Sequence, residues 1–537
     1  MTSSTGERSL ARGAAVITLA TALSRVTGFV RVVVVAGAMG TTFLANTYQT
    51  ANTAPNVVFE LVAAGVLTSI FVPTFVEYMV RGRQEEGWEA GNALASVALV
   101  GLALIALVLA LAAPVVMRLL TIGVDDPALR EREVELGATF LRLFAPQVAF
   151  YGAGMIMTGA LHAHRRFALP AVAPLLNNLV VIAVYVTYAA MRAGRPPSVA
   201  TITDAETLVL GIGTTLGVVA MTLCLVPSLV RMGWRFRFRF DLSHPAVRKG
   251  ARLGAWALGY AGGYQAGLIV VLMLANQVEG GVAAYQWAYT FFYLPHALFA
   301  VPIFSVLFTA MSEHVARSEP AGLQEKLRDG LGMLVFVLAP VAVALLVLSG
   351  PIATLTLRYG AMTSEGATLV ARCLGAFALG LPAYSIFLVF TRAFYAIGDT
   401  KTPAVVNAGA VATASVAGAL LFALAPSGWE VPGLAAGHSL GFGAGAGVLA
   451  SLFARRAGRV RSTHLMASTL RSTAAALVAG GVMAFASWFV PGSGLGPALV
   501  TIVAAGAAGS AVYGGLMWWT KSRELERVLV LVRGIRA

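Results

Sequence analysis

Charged residues are scarce in this sequence. Only 12% of its 537 residues are Asp, Glu, Lys or Arg, about half of the roughly 25% that soluble globular proteins carry. Its two cysteines, Cys224 and Cys373, both lie in apolar runs, which excludes a disulfide framework and a zinc site. The sequence also lacks a Gly-rich phosphate loop on a soluble domain, and its apolar runs lack a pair of carboxylates or a His/Glu metal cluster. We therefore expect no enzyme, no cofactor, no bound metal and no ATPase motor.

Long apolar runs dominate what is present. Hydrophobic residues make up 58% of the chain, and the mean hydropathy is +0.79. Runs of 18 or more apolar residues with few charges predict membrane-spanning helices, and runs without alternation exclude strands. The sequence thus predicts an all-α polytopic membrane protein with fourteen transmembrane helices. The predicted spans cover residues 13–39, 44–78, 88–120, 134–161, 168–191, 206–230, 250–277, 281–312, 330–349, 366–397, 403–425, 432–453, 467–490 and 496–519.

The positions of the basic residues predict the orientation. With fourteen spans and a cytoplasmic N-terminus, 27 of the 38 Lys and Arg residues fall in cytoplasmic segments and six fall outside, as the positive-inside rule requires. The first span is interrupted by arginines and has no cleavage site after it, which favours a retained helix over a signal peptide. We expect a multi-pass protein of the bacterial cytoplasmic membrane with both termini in the cytoplasm. The net charge of +14 then reflects orientation and indicates no nucleic-acid partner.

The most basic connection follows the sixth span. In residues 234–240 arginine alternates with tryptophan or phenylalanine. This pattern suits a segment lying on anionic lipid, but a plain basic linker between two halves of the protein, which also satisfies the positive-inside rule, is favoured.

Two connections repeat one motif. Pro170-Ala171-Val172 and Pro403-Ala404-Val405 lie 233 residues apart and six spans apart. Two six-helix lobes of parallel topology would produce this repeat and would rock between inward-open and outward-open states. We predict an N-lobe of residues 1–232, a basic linker of residues 233–249 and a C-lobe of residues 250–456. Helices 13 and 14 with the tail fill residues 457–537.

Two arginines interrupt the first span. Arg25 and Arg31 are separated by six residues, about 9 Å of rise and 240° of rotation on an ideal helix, so they share one cavity only if the helix bends near Gly28. An intramembrane arginine is costly and usually faces a wet cavity, and the guanidinium fork matches phosphate oxygens. The pair therefore suits a diphosphate or another multivalent anion. The alternatives are snorkelling to the interface and an ion pair with Glu60.

Polar residues also mark the second and eighth spans. The second span carries a polar stripe around Pro55, which should kink the helix; the stripe either lines a cavity or forms a seam between helices. The eighth span carries an aromatic and polar segment, including Gln286 and Thr290, that suits sugar binding or plain packing. The stripe consists of Asn46, Gln49, Asn52, Asn56 and Glu60.

Several motifs together resemble one family. The stretch Leu23-Ser24-Arg25-Val26-Thr27-Gly28-Phe29-Val30-Arg31 resembles the first-helix signature of the MurJ/MviN family, lipid II flippases of the MOP (MATE-like) superfamily. Further matches occur in family order over both lobes, and fourteen spans is the family's count. They are Ala54-Pro55-Asn56, Phe71-Val72-Pro73 with Glu77-Tyr78, Arg166-Phe167-Ala168-Leu169-Pro170-Ala171 with Pro174-Leu175-Leu176-Asn177, and Phe394-Tyr395-Ala396 with Gly398-Asp399-Thr400-Lys401-Thr402-Pro403.

The resemblance implies a V-shaped pair of lobes and a groove for a lipid tail beside helices 13 and 14, which are the last two predicted spans (467–490 and 496–519). It implies that the chain flips undecaprenyl-diphosphate-linked glycopeptide (lipid II) from the inner to the outer leaflet for peptidoglycan synthesis and cell-wall biogenesis. Arg25 and Arg31 match arginines thought to contact the diphosphate. Membrane lipids and cell-wall synthesis proteins are the implied partners, and a monomer is expected. Gly28, Pro55, Pro170, Asp399, Lys401 and Pro403 are hinge or motif positions.

The chain also departs from the family pattern. Val32, Asn46 and Phe59 stand where the family commonly has charged residues, and Thr290 and Tyr293 replace an arginine and an acid of helix 8. No acidic residue supports a sodium site in helix 7 or 11. Two alternatives follow. The first is a related exporter of another polyprenyl-linked glycan or of a drug cation, for which Glu60 is the candidate carboxylate. The second is a non-transporting scaffold for cell-wall enzymes.

Overall fold

A computed structural model places the chain in an arrangement of α-helices, with no strand in the described residues. The structure describes residues 3–80, 84–164, 166–243, 262–263, 265–458, 463–492 and 494–536. A short π-helical turn, His296–Ala300, follows α11. The helices are α1 Ser3–Met39, α2 Phe43–Val80, α3 Gln84–Leu111, α4 Ala113–Leu120, α5 Pro127–Phe144, α6 Gln147–Ala163, α7 Ala168–Arg192, α8 Asp204–Leu223, α9 Val226–Arg231, α10 Gln265–Ala275, α11 Gly281–Pro295, α12 Val301–Ala316, α13 Pro320–Val347, α14 Ser349–Leu357, α15 Ser364–Ala396, α16 Lys401–Leu424, α17 Glu430–Ala457, α18 Thr463–Trp488, α19 Leu495–Trp519 and α20 Arg523–Arg536.

The predicted all-helical membrane fold is confirmed. Within the described ranges, twelve helical segments are long and apolar enough to cross a membrane. The two remaining predicted spans correspond to α2, which is 38 residues long, and to α10, whose described part is the shorter apolar helix Gln265–Ala275. The fourteen predicted spans therefore all have helical counterparts.

Some sequence predictions fall where the structure gives no description. The family motif at residues 71–78 lies in a part of α2 whose side chains are not described, and the side chains of residues 3–18 are likewise not described. The predicted linker is described only to residue 243, and residues 250–261 and 264 of the predicted seventh span lie outside the described residues. The basic positions outside the described residues are Arg81, Arg83, Arg165, Arg248, Lys249, Arg252, Arg459 and Arg461.

Four predicted spans are more divided than the sequence indicated. The third span is two helices, α3 and α4, with Ala112 between them. The fourth is α5 and α6, separated at Ala145 and Pro146. The sixth is α8 and α9, and the eighth is α11, the π-helical turn and α12. Proline stands at or beside these starts because a helix's first turn needs no intrahelical N–H donor.

The chain folds into two compact units. The first consists of Met1–Val282 with Gly360–Met362, and the second consists of Ala283–Tyr359 with Thr363–Ala537. The described part of the seventh span belongs to the first unit. The lobe and linker boundaries given above stay a prediction.

The repeated connection has the same backbone geometry in each unit. The helix before it ends at Ala163 in one copy and at Ala396 in the other, and the helix after it begins at Ala168 and at Lys401, 233 residues later in both cases. The N–H of residue 166 donates to the carbonyl of residue 161 at 2.8 Å, and the N–H of residue 399 donates to that of residue 394 at 2.9 Å. Pro170 and Pro403 are both the third residue of their helices. The two connections that share the Pro-Ala-Val motif thus also share their backbone geometry.

Small residues set the packing of α16 against α17. Glycines recur every four residues along α17, at positions 433, 437, 441 and 445. A Cβ added to Gly437 would clash with the backbone of Gly418, and one on Gly441 would clash with the carbonyl oxygen of Ala410. Because hydrophobic burial contributes little between helices in lipid, such close backbone approach supplies the packing energy.

Candidate functional site

Asn178 fastens the part of α1 that carries Arg25. The Nδ2 group of Asn178, on α7, donates to the carbonyl oxygen of Ser24 and to the hydroxyl of Thr27, both at 3.1 Å. Thr27 in turn donates to the carbonyl of Leu23 at 2.9 Å. Arg25 itself is exposed. The arginine therefore projects from a stretch of helix that is held from one side.

Arg31 lies among phenol groups. Its half-buried guanidinium interacts electrostatically with the hydroxyls of Tyr48, Tyr151 and Tyr185, which come from α2, α6 and α7. The hydroxyl of Tyr48 is hydrogen-bonded to that of Tyr185 at 3.1 Å and to that of Thr214 at 2.6 Å. Arg31 has no hydrogen bond and no ion pair to the described residues. The charge of Arg31 thus acts on tyrosine hydroxyls of the first unit.

The polar stripe of α2 separates into two parts. Asn46 and Thr50 are fully buried. The amide of Asn46 donates to the carbonyl of Val278 at 2.8 Å and accepts from the N–H of Val282 at 3.0 Å, while Thr50 and Asn276 exchange hydrogen bonds at 3.0–3.1 Å. This part is a structural seam that holds the turn at residues 276–282. The Asn46 side chain is engaged within the protein.

The rest of the stripe is more accessible. Gln49, Asn52 and Asn56 are half-buried, and Glu60 is exposed. At about 100° per residue, the four stripe positions 49, 52, 56 and 60 fall within an arc of about 80° around the helix, and Asn46 lies beyond one edge of that arc. The amide of Asn56 donates to the carbonyl of Asn52 at 2.9 Å. This accessible part could offer amide groups to a polar ligand.

Glu60 is bonded to the seventh span. The buried amide of Gln265 on α10 donates to the Glu60 Oε2 atom at 2.7 Å, and the Gln265 Oε1 atom has no partner among the described residues. Within the described residues no ion pair joins Glu60 to Arg25 or Arg31. The carboxylate thus has a neutral partner.

The arginines of α1 and the accessible amides of α2 are similar numbers of residues from the turn between these helices. Arg31 is ten residues before Thr41 and Asn52 is eleven after it; Arg25 is sixteen before and Asn56 fifteen after. At 1.5 Å per residue, the first pair lies about 15 Å from the turn and the second about 24 Å. On straight helices each arginine would therefore lie about as far from the turn as one accessible amide.

The candidates of the eighth span lie in the second unit. The Thr290 hydroxyl donates to the carbonyl of Gln286 at 3.0 Å, and the Gln286 side chain is half-buried. Tyr289 packs edge-on against Phe377 and His438, with ring centres 5.5 and 5.8 Å apart. Packing accounts for much of this aromatic segment.

The predicted hinge positions on α1 and α2 lie inside unbroken helices. α1 continues through Gly28, where an added Cβ would meet only the Asn178 amide at 3.5 Å, an ordinary contact. α2 continues through the buried Pro55. Bending at these positions stays a prediction.

In the C-terminal copy of the repeated connection, Asp399 is the central residue. Its carboxylate accepts from the Thr402 N–H at 3.0 Å and forms an ion pair with Arg456 at the end of α17. Lys401 is exposed. Asp399 thus starts α16 and ties it to α17.

Sequence reasoning missed several polar contacts. Glu133 is fully buried on α5 and accepts from the Thr47 hydroxyl at 3.1 Å; it stood near a predicted span end and was given no role. Asn178 and the tyrosines around Arg31 also went unnoticed, although the Asn177-Asn178 pair inside a span was a visible signal. Among the described residues, no group of three or more His, Cys, Asp or Glu is placed to hold a metal ion.

Comparisons with known proteins agree on one family. Residues 35–504 match the family model described as lipid II flippase MurJ. The chain is 30% identical over 412 residues to the probable lipid II flippase MurJ of Rhizobium tropici, covering 75% of this chain and 74% of that protein. It is 29% identical over 441 residues to the protein of the same name from Rhizobium meliloti (strain 1021), covering 80% and 78%.

Solved structures support the fold. A structure described as lipid II flippase MurJ in an inward closed conformation matches with a TM-score of 0.74 at 22% identity, covering 93% of this chain and 97% of that chain. An inward-facing multidrug resistance MATE family transporter of the MOP superfamily matches with a TM-score of 0.66 at 13% identity, covering 82% and 96%. At these identities the likeness extends to the fold and no further.

Proposed function

This chain belongs to the MurJ family of lipid II flippases, and on that premise we propose that it moves lipid II from the inner to the outer leaflet of the cytoplasmic membrane by alternating access. It is a multi-pass membrane transporter and not an enzyme. The observation that carries the proposal is the family match across residues 35–504, which includes most of both units. The charged and polar groups of the first unit supply a chemistry that fits the substrate.

We assign the diphosphate to Arg25 and Arg31. Arg31 keeps its donors free of described hydrogen-bonding partners, and its charge acts on the phenol of the half-buried Tyr151. Arg25 is exposed on a stretch of α1 that Asn178 holds. Charge-assisted hydrogen bonds from guanidinium groups to phosphate are roughly twice as strong as neutral ones. Two arginines therefore supply the main attraction for the headgroup.

The accessible amides of α2 are assigned to the sugar and peptide part. Gln49, Asn52 and Asn56 are half-buried, and Asn52 and Asn56 are about as many residues from the turn between α1 and α2 as Arg31 and Arg25. Asn46 is assigned to the seam and not to direct substrate contact because both of its amide atoms are engaged. Gln286 and Thr290 are proposed as polar contacts from the second unit, where the family's arginine and acid are replaced.

We further propose that both termini are cytoplasmic and that the protein works as a monomer. The distribution of Lys and Arg supports the orientation. Labelling of single cysteines placed at the two termini, from one side of sealed vesicles, tests it. Light scattering of the purified protein tests the oligomeric state.

The function is tested by measuring which leaflet holds lipid II. In cells depleted of this protein, the outer-leaflet fraction of lipid II should fall while the total pool rises, and re-expression should restore both. An unchanged outer-leaflet fraction after depletion would contradict the proposal. A scaffold would give that unchanged result together with defects in cell-wall synthesis.

A further inference from the structure

A groove runs into the surface of the second unit. Its cavity volume is about 750 Å³, and its walls come from α13, α14, α15, α16 and α17 with the loop between the last two. The lining is apolar or small with one charged residue, Arg372. Leu379 and Leu424 on its wall are 65% and 81% exposed. The groove is therefore open on the outer surface of the helix bundle.

The groove has the length of a single leaflet. Along α15 its lining extends from Ala367, in the first turn, to Leu379, twelve residues later, which is about 18 Å at 1.5 Å per residue. Half of a hydrocarbon core of about 30 Å, with part of the headgroup region, has this dimension. A volume of about 750 Å³ also lies within the usual range of roughly 300–1,000 Å³ for small-molecule sites.

A single cationic group stands between the apolar part of the groove and its rim. The guanidinium of Arg372 donates to the carbonyl oxygen of Gly428 at 2.9 Å, and its central carbon lies 5.0 Å from the ring centre of Trp429. Trp429 is 48% exposed, as tryptophans of the membrane interface commonly are. An arginine has five N–H donors, so its bond to Gly428 leaves donors for an anion.

The nearby carboxylate does not cancel this charge directly. Glu430 accepts from the backbone N–H of Gly428 at 2.7 Å, and within the described residues no ion pair joins it to Arg372. Further along the wall, an added Cβ at Gly350 would meet nothing within 4 Å. The groove thus combines an apolar channel with one cation and one aromatic ring, and the cation, Arg372, lies seven residues before Leu379 along α15.

We propose that this groove binds one anionic glycerophospholipid, with an acyl chain along Leu379 and Leu424 and the phosphate at Arg372. An apolar groove that opens to the bilayer is filled by hydrocarbon, since water gains no hydrogen bonds there. Arg372 selects the anionic headgroup by charge complementarity. The site lies wholly within the second unit, and none of its lining residues is assigned to the flipped substrate. The proposal does not depend on the proposed function.

Photo-crosslinking tests this site on the full chain. The protein is placed in phosphatidylcholine nanodiscs with a small amount of phosphatidylglycerol that carries a diazirine in one acyl chain, and adducts are mapped by mass spectrometry. We expect adducts on the groove faces of α15 and α16. Unlabelled phosphatidylglycerol should compete about ten times better than unlabelled phosphatidylcholine, the effect of one charge-assisted hydrogen bond.

Two variants with matched controls separate headgroup from tail. Arg372→Gln should abolish the headgroup preference, whereas Arg392→Gln, further along the same helix, should keep it. Gly350→Leu should lower labelling of the groove several-fold for both lipid classes, whereas Gly409→Leu, also at an open helical position, should not. If Arg372→Gln does not fold, Gly350→Leu and the competition experiment decide.

Three outcomes would overturn the proposal. The first is competition by both lipids at equal concentrations. The second is labelling that Gly350→Leu leaves unchanged. The third is labelling confined to helices other than those of the groove.

Discussion

Replacing Asn178 by alanine removes the two hydrogen bonds that hold α1 beside Arg25. These bonds, to the Ser24 carbonyl and the Thr27 hydroxyl, are both 3.1 Å long. Hydrogen bonds between membrane helices contribute about 0.6 kcal/mol each on average, so the pair contributes about 1 kcal/mol. Because native proteins are stable by roughly 5–15 kcal/mol, the variant should fold.

The expected effect is on position more than on stability. A loss of about 1 kcal/mol lowers the population of the correctly placed α1 by up to about fivefold. We expect the rate of lipid II flipping by reconstituted Asn178→Ala to fall by a similar factor. The distance distribution between nitroxide labels at positions 19 and 186, both exposed, should broaden, in a background without Cys224 and Cys373.

Asn177→Ala is the matched control. The Asn177 side chain lies near α8, where its Oδ1 atom would be 2.6 Å from a Cβ at Gly217. The control should therefore keep the narrow distance distribution between α1 and α7. Equal losses of flipping in the two variants, or an unchanged distribution in Asn178→Ala, would refute the positioning role.

Three further predictions concern the second unit. Gly441→Ala should lower the free energy of unfolding by about 1–3 kcal/mol, because the added Cβ would clash with the backbone of α16. Thermal unfolding measures this against Gly447→Ala, whose added Cβ meets nothing within 4 Å and which should be near neutral. Equal losses of stability in the two variants would contradict the prediction. A double-mutant cycle of Asp399→Asn and Arg456→Gln should give a coupling energy of about 0.2–1 kcal/mol, since Arg456 is 53% exposed, and a value several times larger would show that solvent does not screen the pair. Burial alone would raise the pKa of the Glu524 carboxyl on α20, but hydrogen bonds from two serines and the charge of an arginine hold that pKa below its usual range. Its contribution to docking α20 is therefore present above about pH 4.3 and lost as the pH falls through the lower folded value. A nitroxide on α20 should be immobile at pH 7 and more mobile near pH 3; equal mobility at both would contradict this.

The membrane-spanning helices were largely predictable from sequence. Hydropathy and the distribution of arginine locate spans because the bilayer penalises every unsatisfied or charged group. The repeat was also visible, since Pro170 and Pro403 occupy the same place in a helix start that any copy must preserve. The breaks at Ala112 and Ala145 were not predicted because apolar composition continues through them.

The candidate site was predictable only in part. Arg31 was found because a charge inside a span is conspicuous, but its tyrosine neighbours come from three other helices and have no local signal. Asn46 and Asn52 belong to the same stripe in the sequence, yet Asn46 is fully buried in a seam and Asn52 is half-buried and accessible. Helical periodicity shows that residues share a face and does not show what that face meets.

The most direct test of the central claim is the affinity of the purified protein for lipid II and for a polyprenyl monophosphate of the same chain length. The account predicts that the wild-type protein prefers the diphosphate lipid and that Arg31→Gln loses about tenfold in affinity for it. Arg31→Lys should recover part of that loss, and Arg142→Gln, at an exposed helix end, should change little. Equal affinity of the wild-type protein and Arg31→Gln for lipid II would contradict the account.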